Sequence, residues 1–147
     1  MKMIAHRGNL RGPNPDQENK PEYIEAALAE HYDVEVDVWR SENKWYLGHD
    51  EPQYEIDSEF LVNERIWCHA KNLHAFQDLL VLDAHCFWHQ KDDYTLTSSN
   101  FIWAYPGQPL SPMSICVMPE LTAYTTTDVL RCAGICSDWI EKFGEIL

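Results

Sequence analysis

The stretch Asp33-Val34-Glu35-Val36-Asp37-Val38-Trp39 decides how this chain is built. Its residues alternate strictly, so on a β-strand Val34, Val36 and Val38 share one face while Glu35 and Asp37 share the other. Two readings fit a strand that is apolar on one side and doubly acidic on the other. In the first, the acids form a solvated face. In the second, the strand is central in a parallel sheet and covered on both sides. The carboxylates then point inward, where a hard divalent cation with oxygen ligands would compensate them.

Outward from this strand, short apolar runs alternate with polar or helical stretches, the pattern of an α/β domain. Lys2–His6 reads as a first strand. The segment Gly8–Lys20, rich in Gly, Pro and Asn, reads as a long loop. Pro21 suits a first helical turn and opens a helix running to His31. Beyond the central strand, Trp45–Leu47 is a short partner strand, and Ile66–Lys71 is another, followed by a helix over Leu73–Leu80. His85–His89, Phe101–Tyr105, Ser114–Met118 and Gly134–Ser137 complete the strands. A hairpin over Tyr94–Tyr105 turns at Ser98-Ser99-Asn100, and short helices are expected at Thr127–Cys132 and Asp138–Phe143. About seven or eight strands result, but eight full strand–helix units need ~250 residues. The expected architecture is therefore one domain, 1–147: a shortened TIM-type (β/α) barrel with several crossover helices reduced to loops.

Composition narrows the partners. Apolar residues make up 45% of the chain and charged residues 24%, as in ordinary globular domains. No apolar run approaches the ~20 residues of a membrane span. The polar N-terminus lacks a secretory apolar region, so a cytoplasmic protein is expected. A net charge of −13 argues against nucleic acid, whose binders need Lys and Arg to displace counterions. A compact phosphate ester stays compatible, because a bound cation reverses the local sign. The five cysteines are odd in number, form no CxxC pair and mostly sit in apolar runs, so they read as reduced core thiols. Exposed strand flanks left by missing helices point to a homodimer as one way to complete the core.

Three clusters carry chemistry. His6-Arg7 closes the first strand, Glu35 and Asp37 lie on one strand face, and His49-Asp50 follows Trp45–Leu47. All fall at or near strand C-termini, where parallel α/β folds keep their sites. A single histidine is more often a core or surface residue than a catalyst. Two of them across a phosphate can nevertheless act as base and acid, and the Arg7 guanidinium offers a fork suited to phosphate oxygens. Glu120 reads equally as a strand-end acid or a solvated loop residue. His85 and His89 share a strand face, but Phe87 and Trp88 between them suggest packing.

The run Ile4-Ala5-His6-Arg7-Gly8-Asn9, then Gln17-Glu18-Asn19, Glu35-Val36-Asp37-Val38 and Gly48-His49-Asp50 resembles the glycerophosphodiester phosphodiesterase pattern. That family carries HRG, PEN, ExD and HD in this order. The resemblance implies that His6 and His49 are the acid–base pair, that Arg7 and Lys71 hold the phosphate, and that Glu18 and Asn19 brace the site. It also implies a divalent metal, Mg²⁺ or Ca²⁺, on Glu35 and Asp37. The family's third strand ends in ExK, and here it reads His69-Ala70-Lys71. His69 thus stands where a carboxylate ligand is expected, and imidazole favours Mn²⁺ or Zn²⁺ over Mg²⁺ or Ca²⁺, so either the site uses a different metal or His69 contacts substrate and the third ligand comes from elsewhere. Ser137-Asp138 resembles the family's last-strand Thr-Asp. The expected activity is hydrolysis of a small phosphodiester, such as a glycerophosphodiester, to a phosphomonoester and an alcohol. The alternatives are a lipid-acting phospholipase of similar mechanism and a non-catalytic metal- and phosphate-binding barrel.

Overall fold

A computed structural model describes residues 1–146. The chain runs β1 (Lys2–His6), α1 (Pro21–Ala29), β2 (Asp33–Ser41), β3 (Lys44–Leu47), β4 (Tyr54–Ile56), α2 (Ser58–Leu61), β5 (Ile66–Ala70) and α3 (Leu73–Val81). It continues with β6 (Cys86–Phe87), β7 (Tyr94–Leu96), β8 (Ile102–Ala104), β9 (Ser114–Val117), α4 (Thr126–Leu130), β10 (Gly134–Ser137) and α5 (Ile140–Ile146). The fold is mixed α/β around one ten-stranded, curled sheet.

Parallel pairing follows the order β6-β5-β2-β1-β10-β9-β8. β7 adds antiparallel to β8, while β3 and β4 form an antiparallel branch from the second half of β2. Strand β2 is central, the second of the two readings its alternation allows. Val34, Val36 and Val38 are fully buried in one cluster with Ile24, Ala27 and Leu28 of α1 and Ala75 and Leu79 of α3. Glu35 and Asp37 are forced to the concave face. There Ile4, Trp67, Phe87, Trp103, Ile115 and Cys136, one from each of six strands, make a second apolar cluster.

Strand boundaries shift where neighbours run out. His85–His89 shrinks to Cys86–Phe87 because only Cys68 and His69 of β5 are in register with it. Helix α1 stops at Ala29 rather than His31, whose left-handed backbone (φ 71°) turns the chain toward β2. β4 and α2 were not expected; both lie in the crossover from β2 to β5. The hairpin β7–β8 forms as expected, and no helix separates β8 from β9. Gly134 is required where β10 meets β1. A Cβ there would lie 2.6 Å from Lys2 Cβ and 2.7 Å from its carbonyl oxygen. All five cysteines are free and buried.

The two ends of the curled sheet, β6 and β7, meet without a strand ladder between them among the described residues. Side-chain hydroxyls stitch this seam instead. Ser98 N donates to Cys86 O at 2.8 Å. The Ser98 hydroxyl accepts from Cys86 N at 2.9 Å and donates to Ala84 O at 3.3 Å. Thr95 Oγ1 donates to Trp88 O at 2.9 Å. His85 Nε2 lies 2.9 Å from Thr97 Oγ1, which also accepts from Phe101 N, and burial there disfavours the imidazolium. His85 is thereby held neutral, its ring 4.0 Å from that of Trp67. Burial and nearby Lys2 push its pKa down to about 4.

Two outcomes follow for stability. Ser98→Ala orphans a buried Cys86 N–H and should cost about 1–3 kcal/mol in denaturant unfolding; an unchanged midpoint would show that the seam contributes nothing. His85 binds its proton more weakly folded than unfolded, so its stabilisation is present at pH 7. That stabilisation is lost as pH falls from about 6.5 towards about 4. The unfolding midpoint should therefore drop more between pH 7 and pH 5 in the wild type than in His85→Phe. Parallel pH profiles would contradict this.

Candidate active site

The sheet register brings the acidic strand and its flanking cations to one place. His6 is paired with Glu35 across β1–β2, and Asp37 with His69 across β2–β5. His6, Arg7, Glu35, His49, His69 and Lys71 line one side of a cleft of about 500 Å³ at the strand C-termini. Asp37 lies directly beneath, with no exposure.

Two buried carboxylates here need compensation, since the effective penalty is several kcal/mol per ion. Arg7 Nε is 3.0 Å from Asp37 Oδ2, close enough for an ion pair but misaligned for a hydrogen bond. Lys71 Nζ is 3.4 Å from Asp37 Oδ1. Asn19 grips Asp37 from both sides. Its Nδ2 donates to Oδ2 and its Oδ1 accepts from Asp37 N, both at 2.9 Å. Burial alone would raise the Asp37 pKa; His69, Arg7 and Lys71 reverse this and hold it well below the usual carboxylate range.

The protonation of His69 follows from its partners. Nε2 lies 2.7 Å from the His89 carbonyl, an acceptor only, so Nε2 carries a proton. Nδ1 then faces Glu35 Oε1 at 3.5 Å and Asp37 Oδ1 at 3.3 Å. A bare lone pair against two carboxylates is repulsive, so either a proton or a cation belongs there. Burial opposes the imidazolium, but the Asp37 and Glu35 carboxylates facing Nδ1 raise the pKa to about 9. Glu35, Asp37 and His69 each offer one ligand atom, all within 4.8 Å of one another. Glu35 Oε2 and Asp37 Oδ1 are buried without a hydrogen-bond partner. Two carboxylates and an imidazole whose other N–H is tied to a carbonyl form a donor set that fits a borderline divalent ion.

His6 is oriented by a residue from the far end of the chain. Its Nδ1–H donates to Asp138 Oδ1 at 2.8 Å, leaving Nε2 turned toward Glu35 Oε2 at 3.8 Å. Burial lowers the His6 pKa, yet Asp138 and Glu35 outweigh it and the net shift is upward. Asn9 bridges Asp138 and Glu18 through Nδ2, 2.8 Å from each, and Glu18 in turn pairs with Arg7 Nη1 at 3.2 Å. Glu18 and Asn19 therefore act as braces. Arg7 and Asn19 both adopt left-handed backbone (φ 53° and 63°), an uncommon state for such residues that recurs at functional sites.

His49 sits differently. It is 45% exposed at the cleft edge, with Nδ1 2.7 Å from Asp50 Oδ1 and Nε2 without a partner among the described residues. Its loop is anchored one residue earlier. Gly48 N donates to Asp37 O at 3.1 Å, and Trp39 Nε1 donates to Gly48 O at 2.6 Å. A Cβ at Gly48 (φ 151°) would overlap the Glu51 carbonyl oxygen.

The nine sequence-derived positions all gather here, seven around the cleft and its floor and two as braces. Sequence reasoning gave no role to Asp138 or Asn9, and left Glu120 open. Asp138 had a signal, its place just past the last strand. Glu120 Oε1 accepts from the Ser137 hydroxyl at 2.9 Å and from Asp138 N at 3.1 Å, so it fixes the backbone that presents Asp138 to His6. The opposite wall of the cleft comes from the second half of the chain and is mostly apolar and aromatic, with Trp88, Trp103, Tyr105 and Met118 prominent beside His89 and Gln90.

Searches against family models, curated proteins and solved structures find no match to this chain.

The His6–Asp138 pair has a direct readout. Asp138→Asn removes the charge that favours the imidazolium, so the His6 pKa, followed by NMR titration, should fall. An unmoved value would show that Asp138 does not tune this histidine.

Proposed function

We propose that this chain is a metal-dependent phosphodiesterase that cleaves a small phosphodiester to a phosphomonoester and an alcohol. The observation supporting it best is the meeting, in one cleft, of His6, Arg7, Glu35, Asp37 and His49, which come from separate motifs of the glycerophosphodiester phosphodiesterase pattern. On this reading the curled sheet is a reduced TIM-type barrel of that family.

Glu35, Asp37 and His69 would hold the ion, Mn²⁺ or Zn²⁺ in preference to Mg²⁺ or Ca²⁺. Bound there, it would neutralise charge on the phosphoryl oxygens. Arg7 keeps Nη2 free of protein partners among the described residues, and Lys71 reaches the same cleft, so both can contact the phosphate. His6, with its raised pKa and Asp138 behind it, is the proton donor. His49, with a free Nε2, is the acceptor. As the nucleophilic oxygen bonds to phosphorus its proton passes to His49. The phosphorus–alkoxide bond then breaks, and the leaving oxygen takes the proton from His6 Nε2.

A second reading has one observation in its favour. Arg7, Lys71 and protonated His69 already compensate the two carboxylates, so the cluster is electrically satisfied as it stands. That suits a non-catalytic phosphate-binding module.

Metal-stripped protein should gain about 2.7 kcal/mol of stability at ~100 times the ion's Kd, and Glu35→Gln should lose that gain. Hydrolysis of bis(p-nitrophenyl) phosphate and glycerophosphocholine should return with Mn²⁺ or Zn²⁺, and His6→Ala should lower it by roughly 10²–10⁴-fold. Binding of inorganic phosphate without turnover with any ion would select the binding module. Wild-type rates in His6→Ala would remove His6 from the chemistry.

A further inference from the structure

The cleft is divided by the chain itself. The charged side chains that line the cleft come from residues before β6 (Cys86–Phe87), with Asp138 behind His6 and Glu120 behind Asp138. The facing wall comes from the segments that leave β6, β8 and β9, and none of its residues belongs to the motifs already used. Trp88 follows β6, Tyr105 and Pro106 follow β8, and Met118 and Leu121 follow β9.

This wall is held open rather than filled. Trp88 is braced from outside, its ring meeting Phe76 edge-on at 5.8 Å. The Tyr105 ring lies 5.6 Å from that of His89, yet Tyr105 remains 47% exposed. Leu121 is 75% exposed at the rim. Met118 adopts left-handed backbone (φ 46°), a strained state for a long side chain, where β9 turns into the 3-10 segment Pro119–Leu121. Deeper in, Trp103 stacks on Phe87 at 4.5 Å and closes the floor.

We infer that this wall is the subsite for the substrate's second arm, and that the arm is a flat aromatic or heteroaromatic ring rather than a polyhydroxyl group. The inference rests on the phosphodiesterase reading, because the cationic side fixes the phosphate and leaves the ester arm to lie over the opposite wall. A glycerol-like arm would lay most of its hydroxyls against Trp, Tyr, Met and Leu, with His89 and Gln90 at the β6 end as the polar partners on this wall, and so would leave polar groups unpaired. A ring gains stacking faces on Tyr105 and Trp88 and sulfur contact with Met118. A long alkyl chain gains area but no stacking, and would overrun a cleft of about 500 Å³.

The test separates phosphate from arm. Binding to the Mn²⁺-loaded protein is measured by calorimetry for inorganic phosphate, glycerol 3-phosphate, hexyl phosphate and phenyl phosphate. Phenyl phosphate should bind at least about tenfold more tightly than glycerol 3-phosphate and more tightly than hexyl phosphate. Tyr105→Ala should erase that preference, Tyr105→Phe should keep it, and neither should alter the affinity for inorganic phosphate. Tyr105 is exposed enough for both variants to fold. Equal affinities for the phenyl and glycerol esters, with phosphate bound, would overturn the aromatic subsite and leave the phosphodiesterase reading intact. Hexyl phosphate binding as well as phenyl phosphate would also overturn it. Failure to bind inorganic phosphate at all would overturn both.

Discussion

Two carboxylates buried on one face of one strand set the terms for the rest of this molecule. Glu35 and Asp37 are 2% and 0% exposed. They are inside because their neighbours leave no choice. Val34, Val36 and Val38 must face α1 and α3, and a strand with a two-residue period sends the intervening side chains to the concave side. A slip of one residue would exchange the two sets and bury both acids under the helices. The apolar packing of β2 therefore enforces the charge placement. That placement in turn explains why Arg7, Asn19, and the pair His69 and Lys71, from three separate segments, all converge on it.

This logic explains which parts were legible in the sequence. The alternation of β2, the Gly/Pro/Asn loop before α1, the position of the strands and the hairpin β7–β8 follow from local pattern, and the structure has them. The motif residues converge because each follows or ends a strand of one parallel set. What local pattern does not contain is a partner chosen by pairing order. Asp138 reaches His6 only because β10 lies beside β1, a neighbour relation between the two ends of the chain. Asn9 gains its role from the same juxtaposition, and Glu120 acts on Asp138 only because β9 follows β10 in the sheet. The seam between β6 and β7 was equally hidden. Ser98 and Thr95 read as ordinary turn and strand residues until the curl brings them against Cys86 and Trp88.

The short chain also shows where a curled parallel sheet can do without helices. α1 and α3 cover β2 and β5, and α5 covers β1 and β10, so the strands carrying charged groups are the well-backed ones. No helix connects the strands β6 to β8 among the described residues; they rely on a hairpin and hydroxyl hydrogen bonds, with α3 reaching only β6. Their contribution to the cleft is mostly apolar and aromatic. A surface that only has to pack and exclude water tolerates looser backing than one that must hold a carboxylate to within a fraction of an ångström.

His69 brings these strands of argument together. A carboxylate at this position would set a third inward acid against Arg7 and Lys71 and raise the negative charge of a dry interior. Imidazole changes that balance. Protonated, it completes the compensation without an ion; deprotonated at Nδ1, it becomes a third ligand while its Nε2–H stays on the His89 carbonyl. The same ring, stacked on Phe87 at 5.0 Å, keeps one orientation in both roles. A protonated His69 therefore balances the two acids, so the strand carrying them can fold with no ion present. An ion that does bind must displace that proton, which ties occupancy of the site to pH and to the ion's affinity for nitrogen.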